Sequence, residues 1–218
     1  NGDSSMTIKL VGSSSGSVSL QAPASTSGGA NRVLTLPDVN GTVATTATAG
    51  KILQVVNVFK GDRFTSSSES FVDITGLTIT ITPTQANSKI LLQGSVNGGT
   101  QDDNLDYAAG IRTMRSIAGG SFSDDNKLNG AADGNRPRIT FRCFASAYNT
   151  DHMPSGFHFS GVDDPSYSVG NAIIYKMQVR CQLSSRPFVL NGTSANGNTT
   201  NIYSGRYMSS LIAMEIAA

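Results

Sequence analysis

The sequence predicts an all-β protein: an extended first segment, then a globular β-sandwich or jelly roll. Three observations predict it. Helix-forming surface residues are scarce, with Glu only at Glu69 and Glu215, while Ser, Thr and 23 Gly are abundant, a composition that suits strands and turns. Apolar residues recur with a two-residue period in several stretches, which buries one face of a strand and wets the other. Finally, aromatic residues are absent before Phe59 and spread through the rest of the chain.

The composition divides the chain into two regions, 1–49 and 50–218. In the first, the only charges are Asp3, Lys9, Arg32 and Asp38. Short apolar words, Met6–Val11, Val18–Leu20 and Val33–Pro37, alternate with Ser/Gly-rich turns. A segment without aromatics builds no compact core of its own. Strands this short need partners from outside the segment, and identical chains winding together would supply them, which is the logic of a fibre shaft. A flexible Ser/Gly linker is the alternative reading.

From about Lys51 the pattern is that of a globular domain with eight or nine strands. Leu77, Ile79 and Ile81 alternate with Thr78, Thr80 and Thr82 before Pro83 ends the run. Ile90, Leu92, Gly94 and Val96 repeat the period. Tyr107–Ile117 is read as a strand, although Ile111, Met114 and Ile117 also fit a short helix. A strand is expected over Ile139–Ala147, and the longest pattern runs from Ile173 through Tyr175, Met177, Val179 and Cys181 to Leu183. Leu211–Ile216 is nearly continuous in apolar residues and is expected to be an interior strand buried on both sides.

Charge excludes further classes. With Lys+Arg 16 against Asp+Glu 15, the chain lacks the basic excess that nucleic-acid binding by counterion release needs, so no nucleic acid is expected as partner. No apolar stretch approaches the roughly 18–20 residues of a membrane helix, and no membrane insertion is expected. Catalysis is not expected either: no G-x-S-x-G elbow occurs, and His152 and His158 have no evident nucleophile or metal partner. No cofactor and no metal site is expected. Asp102–Asp103, Asp124–Asp125 and Asp163–Asp164 read as solvated turns or caps rather than calcium loops. Cys143 and Cys181, on apolar strand faces, read as reduced core thiols. The sequons at Asn191 and Asn198 carry little weight.

The words Gly16–Ala24 and Asn31–Val43 resemble a repeat of bacteriophage tail fibres, especially those of marine and cyanobacterial phages. Gly50–Val56, Thr78–Pro83, Ser88–Leu92 and Leu211–Ile216 are similar to the start and end of the distal domain of the same proteins, while about Gly98–Asp164 is unmatched. The resemblance implies the distal part of a homotrimeric virion appendage, with a β-stem and a noncatalytic head that adsorbs to the bacterial host. It also implies attachment to other virion tail proteins through the N-terminal side, a host surface glycan or outer-membrane protein as receptor, and assembly in the reducing host cytoplasm, where a disulfide is disfavoured. A head fibre or decoration protein serving assembly is the alternative, and a polysaccharide depolymerase a weaker one. In that setting Tyr148, Asn149, His152 and Tyr167, in amide-rich loops, are the candidate receptor-binding residues. Arg112, Arg115, Arg136, Arg138 and Arg142 are read mainly as intrachain partners of Asp, with a threefold interface or anionic lipopolysaccharide as the other option.

Overall fold

The computed structural model describes the backbone of residues 7–11 and 17–21, and residues 52–100, 108–143 and 155–218 with their side chains, that of Tyr203 excepted. The chain divides into two compact units, Asn1–Thr48 and Ala49–Ala218. In the first, β1 (Thr7–Val11) and β2 (Ser17–Gln21) pair antiparallel, from Thr7 opposite Gln21 to Val11 opposite Ser17. Composition predicts outside partners for both words, yet their backbone bonds close within the segment. The reason is proximity: a short connection makes this closure cheap in entropy. The third word, Val33–Pro37, lies outside the described residues.

The second unit contains, in chain order, β3 (Ile52–Lys60), β4 (Phe64–Ser66), β5 (Val72–Ile81), β6 (Lys89–Thr100) and β7 (Ala109–Ile117). These are followed by β8 (Phe141–Cys143), β9 (Ser155–Asp163), β10 (Ile173–Cys181), β11 (Phe188–Leu190) and β12 (Ser209–Ile216). One sheet has the order β5-β10-β7-β8 and the other β3-β12-β6-β11-β4, with β9 on the far edge of β6. Every pairing is antiparallel. Setting aside the short β4 and β11, the eight remaining strands pair first with last and then inward: β3 with β12, β5 with β10, β6 with β9, β7 with β8. This nested wrapping is that of a jelly roll.

The alternating patterns account for the core. Along β10, Ile173, Tyr175, Met177, Val179 and Cys181 are all fully buried. On β5 the inward residues are Ile74, Leu77, Ile79 and Ile81, and the odd spacing between Ile74 and Leu77 is a bulge. The register against β10 shifts between Lys176 and Gln178, and Gly76 takes the positive φ of +86° that the bulge requires. The extra residues let both apolar side chains face inward.

The helical spacing of Ile111, Met114 and Ile117 does not make a helix, because β7 is bonded to β10 along its whole length, from Ile117 opposite Ile173 to Ala109 opposite Cys181. The strand expected over Ile139–Ala147 starts at Phe141, and residues 144–147 lie outside the described ones. Beyond Ile111 the edge of β7 is met by a backbone bridge from Arg115 to Ser123 and, at Thr113, by side chains. Asn126 and Asn129 donate to the Thr113 carbonyl at 2.9 and 2.7 Å, and Asn129 accepts from the Thr113 N–H at 3.0 Å, so the buried backbone stays satisfied. The last strand lies inside its sheet, between β3 and β6, but only Leu211, Ala213 and Glu215 of the run are buried. Ile212, Met214 and Ile216 point to the outer face, half-exposed.

Glu215 closes one end of the sandwich. Its carboxylate accepts from the Thr84 N–H (2.9 Å), the Gln85 N–H (3.1 Å), the Thr84 hydroxyl (3.1 Å) and Gln54 Nε2 (2.7 Å), and Gln54 donates as well to the Thr82 carbonyl. The carboxylate thus ties the β5–β6 turn to β12 and β3. Burial alone pushes its pKa up, but the donors from Gln54, Gln85 and Thr84 outweigh it and hold the group below its ordinary value. A depressed carboxyl adds stability above its unfolded pKa, near 4.3, and loses it as pH falls through the folded value. Chemical denaturation is therefore expected to show acid destabilisation below about pH 4.3. Glu215→Gln should cost about 1–3 kcal/mol at neutral pH and flatten that acid limb.

Candidate functional site

Of the candidate receptor-binding residues, Tyr148, Asn149 and His152 lie outside the described residues. Tyr167 is half-buried against the core, and its hydroxyl donates to the carbonyls of Gln85 (2.8 Å) and Ser88 (3.2 Å). The phenol is thus committed to joining two loops, and only part of its ring faces outward. His158 stands exposed on β9 opposite Ser95.

The acidic and basic clusters largely consume one another. Asp163 is fully buried, pairs with Arg115 Nη1 at 2.6 Å, and accepts from the Tyr175 hydroxyl at 2.9 Å and the Lys127 N–H at 3.2 Å. Burial and the adjacent carboxylate push the Tyr175 phenol up, so it stays a donor. Arg112 and Arg138 meet Asp124, Arg138 also meets Asp125, Arg136 pairs with Asp133, and Lys127 reaches Asp164. Asp102 and Asp103 lie outside the described residues.

Both cysteines are buried free thiols. Their separation follows from register: Ala109 on β7 is opposite Cys143 on one side and Cys181 on the other. Two strand spacings put their Cα atoms about 9–10 Å apart, beyond the roughly 7 Å a disulfide can span. Burial pushes both thiols up, and Cys181 donates to the Ser66 carbonyl at 3.1 Å.

The same register builds a cleft on the outer side of the four-stranded sheet. Gly110 is opposite Arg142 on β8 and Arg180 on β10, so two guanidinium side chains flank a position without a side chain. A Cβ on Gly110 would lie 3.1 Å from Ile139, and the bare backbone keeps the floor open. The cleft measures about 390 Å³ and is lined further by Phe71, Asn135, Pro137 and Gln182. Arg112 lies 4.0 Å over the Phe71 ring, which fixes the aromatic face beside the basic row. An aromatic, an amide and two arginines around a shallow floor offer stacking and bidentate hydrogen bonding to hydroxylated, negatively charged ligands. Sequence reasoning picked out Arg142 but missed Phe71, Gly110 and Arg180, which only strand register brings together.

The outer face of the six-stranded sheet differs in chemistry. Val55, Met214, Leu91 and Val162 stand side by side across β3, β12, β6 and β9. Val55 is 55% exposed and Val162 41%, and Phe59 on the same strand as Val55 is 62% exposed. Beside this apolar row is a second cleft of about 400 Å³, lined by Gln93, Ser95, His158, Ser160 and Ile212.

No family model and no curated protein sequence matches the chain. Among solved structures it is similar to that of infectious bursal disease virus, Gx strain, at 15% identity and a TM-score of 0.31, over 96% of this chain and 45% of the other. The Gt strain structure gives 15% identity and a TM-score of 0.26, over 96% and 44%. The chain thus spans less than half the length of the structures it matches, and likenesses this slight assign neither family nor function.

The buried thiols give a direct test. Native protein is expected to resist alkylation at pH 8, and both Cys143 and Cys181 should label fully on denaturation without reductant, as counted by intact mass.

Proposed function

We propose that the chain is the distal part of a homotrimeric virion appendage, a tail fibre, whose jelly-roll head adsorbs to the bacterial surface without catalysis. The observation that carries this reading is the apolar row Val55–Met214–Leu91–Val162, exposed at Val55 and Val162 and half-exposed at Met214 and Leu91. Contiguous apolar surface on a sheet face marks a place where another surface docks, and a copy of the same chain is the partner that closed symmetry supplies. The aromatic-free leading segment supports the same assembly, as a stem in which neighbouring chains share what one chain cannot bury. The N-terminal side then joins other tail proteins of the virion, and assembly takes place in the host cytoplasm.

Attachment is assigned to the polar side of the head. The Phe71, Asn135, Arg142 and Arg180 cleft suits a surface glycan, and three copies on one head convert weak contacts into avidity.

Two outcomes are expected. Light scattering at micromolar concentration should give three times the chain mass, and Met214→Glu should lower it to one with the circular dichroism unchanged, because this side chain faces outward. A stable wild-type monomer would overturn the assembly. Fluorescently labelled whole chain should sediment with cells of some member of a bacterial panel, and Arg180→Gln should reduce the bound fraction about tenfold, the loss of one charge-assisted contact amplified by valency. Trimer formation with no adsorption to any cell would favour a decoration protein that serves assembly.

A further inference from the structure

A second basic site lies away from the cleft, where the β3–β4 turn meets the end of β11 and the approach to β12. Arg63, just before β4, and Arg206, shortly before β12, converge on Gly192. A Cβ built there would lie 2.8 Å from Arg206 Nη1 and 3.2 Å from Arg63 Cδ. The absent side chain leaves room for the Arg206 guanidinium, and the Arg63 stem packs closely against the same position.

Their hydrogen bonds leave most of the charge unanswered. Arg63 Nε donates to the Thr193 carbonyl at 3.3 Å, and Arg206 Nη2 to Asn196 Oδ1 at 2.5 Å. Among the described residues neither guanidinium has a carboxylate partner, whereas Arg112, Arg115, Arg136 and Arg138 each have one. Asp62, next to Arg63 in sequence, is turned to Lys60 Nζ at 2.8 Å. Burial and the charge of Arg206 both lower the pKa of Arg63, so the fold holds two like charges together at a cost. The hydroxyl of Thr193, whose carbonyl accepts from Arg63, is buried and has no partner among the described residues. Such a donor without an acceptor is itself unfavourable.

The convergence is built rather than accidental. Asn191, in left-handed backbone at φ 55°, donates to the carbonyls of Lys60 (2.8 Å) and Asp62 (3.1 Å) and accepts from the Ser209 hydroxyl at 2.7 Å. One side chain therefore locks together the three segments that carry Arg63, Gly192 and Arg206.

We infer that Arg63 and Arg206 form an oxyanion site that takes a phosphate or carboxylate group, such as acidic surface saccharides carry. An oxyanion between the two guanidinium groups relieves their repulsion and accepts charge-assisted hydrogen bonds from both. The inference stands apart from the adsorption reading, since a chain that binds no cell can still hold an anion here.

The test is titration of the whole chain at low salt with inorganic phosphate and with trigalacturonate, followed by calorimetry and thermal unfolding. Wild type is expected to bind saturably and to gain melting temperature with ligand. Arg206→Gln, at an exposed position, should fold normally, melt no lower without ligand, and bind at least about tenfold more weakly. Gly192→Ala, which pushes the Arg206 guanidinium aside without removing charge, should weaken binding in the same direction. Lys89→Gln, at the far end of β6, should bind as wild type does. Tighter binding of trigalacturonate than of phosphate would assign a saccharide carboxylate as the source, and equal or weaker binding a free anion. Absence of saturable binding by wild type, or an Arg206→Gln protein that binds as tightly, would overturn the site.

Discussion

The two sheets have one interior between them, and nearly every feature of the second unit follows from closing it. Strands with a two-residue period supply Ile74, Leu77, Leu92, Tyr175, Met177 and Leu211 to that interior, and antiparallel ladders satisfy the backbone they carry in. Two buried carboxylates finish the closure from opposite starting points. Asp163 on β9 takes a charge and a phenol from β7 and β10 of the other sheet. Glu215 takes only neutral donors, most from a turn that joins the sheets. Each replaces water around a carboxylate with fixed donors, the condition under which a buried charge is tolerated.

Closure leaves two outer faces of opposite character. Sheet pairing puts arginines and a bare glycine in one row on the four-stranded side, and apolar residues in one row on the six-stranded side. The same period-two geometry makes both, since residues directly opposite across a ladder share a face. The adsorption reading proposed above assigns recognition to the polar face and assembly to the apolar one.

Legibility in the sequence differed between elements for physical reasons. Patterns with one dry face, such as Ile173–Cys181 and Leu77–Ile81, were readable because burial acts on alternate residues. The bulge at Gly76 was not, because it breaks the period where a register shift compensates. Leu211–Ile216 is buried on one face only, because its position inside the sheet satisfies both backbone edges while only alternate side chains reach the core. The pairing of β1 with β2 was missed because a core was sought for a segment whose nearest backbone partner was simply its neighbour. Of the site, Arg142 was visible as part of a basic cluster. Phe71, Gly110 and Arg180, or Arg63, Gly192 and Arg206, are separated by long stretches of chain, and no local signal links them.

The sequence by itself determined the all-β class, the change of character near residue 50, the inward faces of the main strands and the buried state of the two thiols, because these depend on local composition and on side-chain period. The tertiary structure alone decided which strands are neighbours, and hence the nested pairing, the distance between Cys143 and Cys181, and the meeting of arginines over glycines. Register is a long-range property: it is set by how two sheets share one core, and no short window of residues contains that information.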